Sequence, residues 1–476
     1  MRRVAVWWVR QDLRLADNPA LGAAIREGAV LPVFVLDEAS AEPWAPGAAQ
    51  RWWLHHSLAA LGDSLRAAGA PLVLRHGATA EVLAGLAAAA GAATVHAAAA
   101  HEPWARRQEQ AVARALGPAR LVLHRGRALH DPAALATRAG NGFGVYTPFR
   151  RALLESLAPA PPAPAPTRIP AAPAPEGLPL AALALRPRPD WAAGLRAAWQ
   201  PGEAGARARL HAFLRGPAAR YPTARDQPAE DATSGLSPHL QAGEMSPATL
   251  WHAVEEAGLP AASRAAFLGE VIWREFAIHL LWHHERLPEA PLRPGFAAMP
   301  WRKDAAALRA WQEGRTGVPL VDAGMRQLWQ TGWMHNRVRM VAASLLVKHL
   351  LLPWQAGARW FWDTLVDADL ANNSASWQWV AGSGADAAPF FRVFNPVLQG
   401  RKFDPDGAYV RRFVPELRHL PAAAIHAPWM AGGAPGYPAP IVDLAAGRAR
   451  ALAAFGAARA GLRPVRDAGG QGGARP

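Results

Sequence analysis

In the first third of the chain, short stretches rich in apolar and β-branched residues mark strand candidates at 4–9, 31–36, 72–74, 94–96 and 121–123. Runs of that length between turn-forming residues read as strands buried on both faces. Between them lie longer alanine- and leucine-rich stretches at 52–68, 80–90 and 105–116. Alternation of strand and helix predicts βα units, so residues 1–130 are expected to form a Rossmann-like α/β domain with a five-stranded parallel sheet. No Gly-x-Gly-x-x-Gly follows the first strand, which argues against a dinucleotide held by that device. The chain runs on instead as Arg10-Gln11-Asp12-Leu13-Arg14-Leu15-Ala16-Asp17-Asn18-Pro19, where Asp17 or Asn18 suits the cap of the next helix.

The pattern then changes twice. Residues 131–200 are expected to link two domains, because 158–189 is rich in proline and alanine, has no apolar period, and suits a semi-rigid extended spacer. From 201 to 460 the spacing is helical, at 203–215, 247–257, 261–286, 304–313, 320–331, 335–352, 355–366 and 441–460, so this part is expected to be all-α. The Gly-, Arg- and Ala-rich stretch 461–476 is expected to be a flexible tail.

Composition narrows the chemistry. With 476 residues, 51% of them apolar, the chain can bury two ordinary cores. It has no cysteine, which excludes disulfides, thiolate catalysis and cysteine-held zinc or iron–sulfur centres, so redox work needs a borrowed cofactor. A net charge of +14 suits a polyanionic partner, but lysine occurs only at 303, 348 and 402, and an arginine-rich, GC-biased composition raises the charge by itself. No apolar run has bilayer length, and the N-terminus opens on a strand, not a signal peptide, so a cytoplasmic protein without a membrane partner is expected.

Several constellations lie in the helical part. Tyr221 precedes the turn Thr233-Ser234-Gly235-Leu236-Ser237, whose hydroxyls and amides suit a diphosphate, although such turns also simply cap helices. Glu270, Trp273 and Arg274 share a helix face, where an acid, an aromatic plate and a guanidinium suit a nucleobase cavity; an intrahelical Glu270–Arg274 pair beside a core tryptophan is the plainer reading. Asn336 and Met340 share another face, with Arg339 beside them and Arg337 turned away. Asp369, Asn373 and Trp377 line one stripe if their segment is helical, and Trp379 is then rotated about 200° from Trp377. Glu275, His279 and His283 are also spaced by four, but three groups on one straight helix do not converge on an ion, so they read as a solvated polar face and no metal site is expected. Each of the 21 tryptophans is by default a packing residue.

Trp333-Met334-His335-Asn336-Arg337-Val338-Arg339-Met340, the segment from Asn372 through Trp377 and Trp379 to Pro396, and Trp273-Arg274-Glu275-Phe276 together resemble the flavin-binding domain of the DNA photolyase/cryptochrome family. The likeness is strongest to the class I branch that acts on cyclobutane pyrimidine dimers. It implies an FAD held by Tyr221, Thr233, Ser234, Gly235, Leu236, Ser237, Arg339, Asp367, Asp369 and Asn373, with Asn373 facing flavin N5. It implies a lesion pocket of Glu270, Trp273, Asn336, Met340 and Trp379, and an electron-transfer chain of Trp377, Trp354 and Trp301. Arg225, Arg274, Arg337, Arg392 and Gln399 would contact DNA.

In the family, light excites reduced FAD, which lends an electron to a flipped-out dimer. The implied partner is therefore damaged double-stranded DNA, met by a monomer at the nucleoid. Relatives specific for (6-4) lesions carry histidines where Asn336 and Met340 stand, and plant-type cryptochromes usually carry tyrosine at the position of Trp379. The first difference points to the cyclobutane pyrimidine dimer as the lesion, and the second favours repair over a cryptochrome-like photoreceptor that keeps FAD and the tryptophans without repairing. A cofactor-free basic DNA-binding protein is the third reading. The family often holds a second, antenna chromophore (folate, deazaflavin or other) in the α/β domain, but the common motif Asn-Arg-x-Tyr-Glu-Pro here reads Ala98-Ala99-Ala100-His101-Glu102-Pro103, which leaves open whether one binds and which.

Overall fold

The computed structural model describes residues 3–386 and 392–460; the expected tail at 461–476 lies outside the described residues. The first part alternates β1 (Val4–Val9), α1 (Pro19–Glu27), β2 (Ala29–Leu36), α2 (Ala48–Ala67), β3 (Val73–His76), α3 (Thr79–Ala90), β4 (Ala92–Ala98), α4 (Pro103–Ala115) and β5 (Arg120–His124). All strand pairings are parallel, in the order β3-β2-β1-β4-β5. Successive side chains of β1 point to opposite faces, so Ala5, Trp7 and Val9 enter one core with Leu21, Trp52 and Leu58, while Val6 and Trp8 enter another with Leu83 and Val112. Burial on both faces is why the central strands β1 and β2 appear in the sequence as apolar runs. The cap of α1 is Asn18, whose Oδ1 accepts the Leu21 amide at 3.1 Å, and not Asp17.

The segment expected as a linker is largely extended, but it does not hang free. The amide of Val30 donates to the Pro170 carbonyl at 2.7 Å, that of Ala172 donates to Val30 at 3.0 Å, and Ile169, Leu183 and Leu185 are buried against the sheet domain. Residues 131–200 also contain α5 (Tyr146–Ser156), which buries Phe149 and Leu153, and α6 (Ala193–Ala198).

The helical part contains α7 (Glu203–Arg215), α8 (Tyr221–Ala224), α9 (Ser237–Ala242), α10 (Pro247–Glu256), α11 (Ala261–His283), α12 (Ala305–Gln312), α13 (Pro319–Thr331), α14 (Asn336–Ser344), α15 (Trp354–Thr364), α16 (Leu370–Ala381), α17 (Pro396–Phe403), α18 (Ala408–Phe413), α19 (Ala422–Ile425) and α20 (Leu444–Ala460). The expected helix at 335–352 is shorter: α14 passes into a π turn, Leu345–His349. The segment 370–381 is helical, as the stripe of Asp369, Asn373 and Trp377 requires, with Asp369 as its cap: Oδ1 accepts the Asn372 amide at 2.8 Å. The two parts meet closely at Gly243, where φ is +72° and an added Cβ would lie 1.9 Å from the Gln11 carbonyl oxygen, so only glycine fits. Among the described residues, no helix is long and apolar enough to cross a membrane.

One expectation is overturned. Glu275 and His279 are not a solvated face but fully buried. Glu275 Oε2 accepts the Leu129 amide and meets His130 Nδ1, both at 2.8 Å, and His279 Nε2 accepts the Phe143 amide at 2.8 Å. The partners come from 129–143, far away in sequence, so helix spacing alone gave no sign of them.

Candidate active site

Two helices converge on Asp367, which precedes α16. Arg339 of α14 reaches its two oxygens at 3.1 and 2.8 Å, and the hydroxyl of Ser237, at the start of α9, donates to it at 2.6 Å. Arg339 is braced by the Met334 carbonyl, 2.7 Å from Nε. One turn into α16, buried Asn373 donates its amide nitrogen to the Ala358 carbonyl at 2.9 Å, which leaves its amide oxygen as the group that can receive a donor. Tyr221 and Leu236 share one apolar cluster, and Gly235, at φ +61°, makes the turn between Thr233, Ser234 and α9. Burial pushes the Tyr221 hydroxyl up to about 12. The expected cofactor residues are therefore gathered around α8, α9, α14 and α16, with Ser237, Arg339 and Asp367 in direct contact.

Asp369 belongs to a second group that the sequence reading did not foresee. Its Oδ2 lies 3.4 Å from Arg127 Nη1, and Arg127 Nη2 also meets a carboxylate oxygen of Glu102 and approaches His101 at 3.5 Å. Burial alone would raise both carboxyls; Arg127 and His101 outweigh it at Glu102, holding it down at about 2. At Asp369 the His101 ring, 3.9 Å from Oδ2, and the Arg127 charge outweigh burial, and that pKa is lowered too. His101, Glu102 and Asp369 each offer an atom within 4.8 Å of the others, as metal ligands would, but the Arg127 guanidinium already supplies the positive charge among them. The only sequence sign of this group was the altered motif at 98–103; Arg127 gave none.

The other residues face outward. Glu270 on α11, with a side chain 37% exposed, receives Arg225 Nη1 at 2.6 Å on Oε1. Arg337 reaches the neighbouring Asp226 at 2.7 Å and lies over the Phe403 ring at 4.5 Å. The turn at 225–226 thus ties the clusters of α11 and α14 together. Trp273 stacks on Tyr146 with centroids 3.6 Å apart and planes 2° from parallel, and Tyr146 Oη is anchored by donating to the Gly269 carbonyl at 3.0 Å. Tyr146 went unnoticed because it lies in the segment expected as linker. Met340 and Trp379 are half-buried and Asn336 is exposed.

Arg274 departs from its expected role as a DNA contact. It shares a helix with Glu270 but pairs elsewhere: its guanidinium is turned inward, with Nη1 at 2.6 Å from the Arg127 carbonyl and 3.1 Å from Glu275. Arg392 is exposed beside Phe394, and Gln399 is half-buried with Oε1 unpartnered among the described residues.

Trp377 and Trp354 are each 2% exposed and Trp301 is half-buried, so exposure rises along the expected electron path. The Trp377 ring lies against Gly357, where an added Cβ would be 2.1 Å from Cη2, three residues beyond Trp354. Arg302, next to Trp301, donates its amide to Leu351 at 2.8 Å, three residues before Trp354. Trp377 also meets Phe361 at 5.0 Å and Trp311 at 6.1 Å between centroids.

A separate cavity of 140 Å³ opens at the α/β domain, with Trp8, Trp44, Trp53 and Trp104 among its walls and Glu102 and Gln241 as polar lining.

Two family patterns match the chain: one described as DNA photolyase over residues 5–167, and one described as the FAD binding domain of DNA photolyase over residues 267–457. A deoxyribodipyrimidine photo-lyase of Agrobacterium fabrum is 49% identical, over 95% of this chain and 97% of its own. Cryptochrome-1 of Arabidopsis thaliana is 35% identical, over 94% of this chain and 69% of its own. A crystal structure of a bacterial class III photolyase from Agrobacterium tumefaciens superposes with a TM-score of 0.92 at 47% identity, covering 97% of this chain and 98% of that one. That likeness is to class III and not to the class I branch suggested by the motifs. At the level that these matches share, the chain belongs to the DNA photolyase family and carries its FAD-binding domain.

Proposed function

We propose that this protein is a light-driven lyase that reverses cyclobutane pyrimidine dimers in double-stranded DNA with bound, reduced FAD. The two-sidedness of α16 and its neighbours carries the reading. Asn373 and Trp377 are buried on the face of α16 turned to α15, where Asn373 bonds the Ala358 carbonyl and the Trp377 ring lies against Gly357, whereas Trp379, and Trp273 and Met340 on the helices packed against α16, remain half-exposed together with Glu270. One helix thus carries a buried face that holds Asn373 and Trp377 and a half-open face that holds Trp379.

The residues present suit FAD. The buried Asn373 amide nitrogen is taken by the Ala358 carbonyl, so its amide oxygen suits a ring N–H. When bound, the flavin supplies the electron that light mobilises and takes it back at the end of the cycle. The chain's own part begins with Arg337 and Arg392, which hold the DNA backbone, with Arg225 at the rim of the pocket. Photolyases are a named instance of base flipping, whose general cost is about a few kcal/mol and least for pairs already distorted. Trp273, backed by Tyr146, and Trp379 then offer flat apolar faces to the extruded dimer, and Met340 fills space beside it. Glu270 keeps Oε2 for a pyrimidine edge while Arg225 holds Oε1. Trp301, Trp354 and Trp377 carry electrons inward from the surface. The tryptophan-lined cavity of the α/β domain suits a flat second chromophore.

The test is repair of a thymine-dimer oligonucleotide by purified, reduced protein under blue light and in the dark, with the absorption spectrum recorded. Light-dependent return of intact thymines with a flavin spectrum is expected. A flavin that photoreduces without any repair would instead support the photoreceptor reading that the similarity to cryptochrome-1 keeps open.

A further inference from the structure

Helix α16 begins at a set of buried charges that neither the flavin contacts nor the lesion contacts explain. Arg127, just after β5, has a side chain only 5% exposed, and its partners Glu102 and Asp369 are 4% and 6% exposed. A guanidinium so far from water is tolerated only where its donors are met, and they are met from three directions. Nη2 pairs with Glu102, the residue before α4; Nη1 lies 3.2 Å from the Gln241 carbonyl at the end of α9 and 3.4 Å from Asp369 Oδ2. Asp369 is fully committed in return: Oδ2 faces Arg127 while Oδ1 accepts the Asn372 amide and caps the helix. The junction therefore sets the first turn of α16 against the α/β domain, and Asn373 is held in that turn, its amide donating to the Asp369 carbonyl at 2.8 Å.

The other side of the junction is a wall of the second cavity. Glu102 and Gln241 line that cavity, and so does Leu370, the first residue of α16.

We infer that Arg127 is a positioning residue for the flavin-binding helix: by joining Glu102 to Asp369 it fixes the first turn of α16 and with it the placement of Asn373. The link to the flavin rests on the reading of Asn373 as a flavin contact; the pinning of the helix does not. Removing Arg127 takes from two buried carboxylates the guanidinium that joins them and leaves only the His101 ring between them, so the tie from Glu102 to the cap of α16 is lost. Because Glu102 belongs to both the junction and the cavity, a change in its charge also reaches α16.

The test compares Arg127→Met, Arg127→Lys and Glu102→Gln with the unmodified full-length protein. Hydrogen exchange at the Asn372 and Asn373 amides reads the pin directly, and the flavin midpoint potential and FAD dissociation constant read its effect. In Arg127→Met, exchange at these amides is expected to accelerate ten-fold or more, with β1 and α7 unchanged, and FAD to bind at least ten-fold more weakly with a shifted potential. Glu102→Gln should show the same effects more weakly, and Arg127→Lys should recover part of them. Unchanged exchange and unchanged potential in folded Arg127→Met would overturn the inference. If that variant does not fold, exchange and potential like those of the unmodified protein in both Arg127→Lys and Glu102→Gln would overturn it equally. Faster exchange at an unchanged potential would uphold the pin and remove Asn373 from the flavin.

Discussion

Single residues show how narrow the tolerances around the tryptophans are. Gly357→Ala would place a Cβ 2.1 Å from Trp377 Cη2 and 2.7 Å from Leu346 Cδ2, between two buried side chains. Overpacking of this kind costs about 1–3 kcal/mol, so a lower denaturation midpoint at unchanged slope is expected, together with slower photoreduction as the Trp377 ring moves. A variant as stable as the parent would show that the ring relaxes freely. The spacing of Asp369, Asn373 and Trp377 was legible in the sequence because an interval of four is a property of the helix itself. What each residue touches was not. Arg274 sits one step from Trp273, yet its partners are Glu275 and the carbonyl of Arg127, and the plate behind Trp273 is Tyr146, more than a hundred residues earlier. Face can be read from spacing, whereas contact depends on what the rest of the fold delivers to that face.

At the scale of elements, α16 is secured at both ends by buried charged groups. Asp369 and Arg127 hold its start, and Lys348, placed by the π turn after α14, donates to the Ala381 carbonyl at 2.7 Å at its end. Buried in this way, the Lys348 amine has its pKa lowered well below the ordinary value. A helix held at both ends keeps Trp377 and Trp379 on separate sides, so their roles should separate by mutation. Trp301→Phe is expected to stop photoreduction of oxidised flavin while sparing repair by protein reduced chemically beforehand; loss of both activities would make Trp301 a packing residue. Trp379→Ala should weaken binding to dimer-containing DNA by about 1–3 kcal/mol, the usual worth of a base–aromatic stack, and leave undamaged DNA unaffected. The sheet was legible because its central strands, β1 and β2, are buried almost throughout and stand out as apolar runs. The helix α5 was hidden because a single short amphipathic turn set does not stand out beside a proline-rich stretch.

Over the whole molecule, charge and acidity act together. Arg337→Ala removes an ion pair whose side chains are 21% and 36% exposed, worth about 0–1 kcal/mol, so stability should barely change. DNA binding should weaken uniformly across sequences, with the salt slope shallower by about 0.9; an unchanged slope would take Arg337 off the phosphates. Burial holds His279 down at about 3 and His335 and His349 at about 4, against an ordinary value near 6.5. Unfolding lets these rings take up protons, so their contribution is complete above about pH 6.5 and declines as pH falls towards 4 and 3. Glu102, held at about 2, contributes fully above its ordinary 4.5 and is lost as pH falls towards 2. Tm should therefore decline already between pH 6.5 and 5, before the carboxylates respond, and a flat Tm over that interval would contradict the burial of the histidines.

The proline- and alanine-rich strap also bears on how the molecule comes apart. Residues 169–172 are stitched to Val30 by backbone hydrogen bonds, while Gly243 abuts Gln11 with no side chain between them. A peptide bond cut between 158 and 168 would therefore sever covalent continuity without freeing either piece. The nicked protein would run as two bands under denaturing electrophoresis and still travel as one particle in a native gradient, so the covalent tether is dispensable once the two halves have closed on each other.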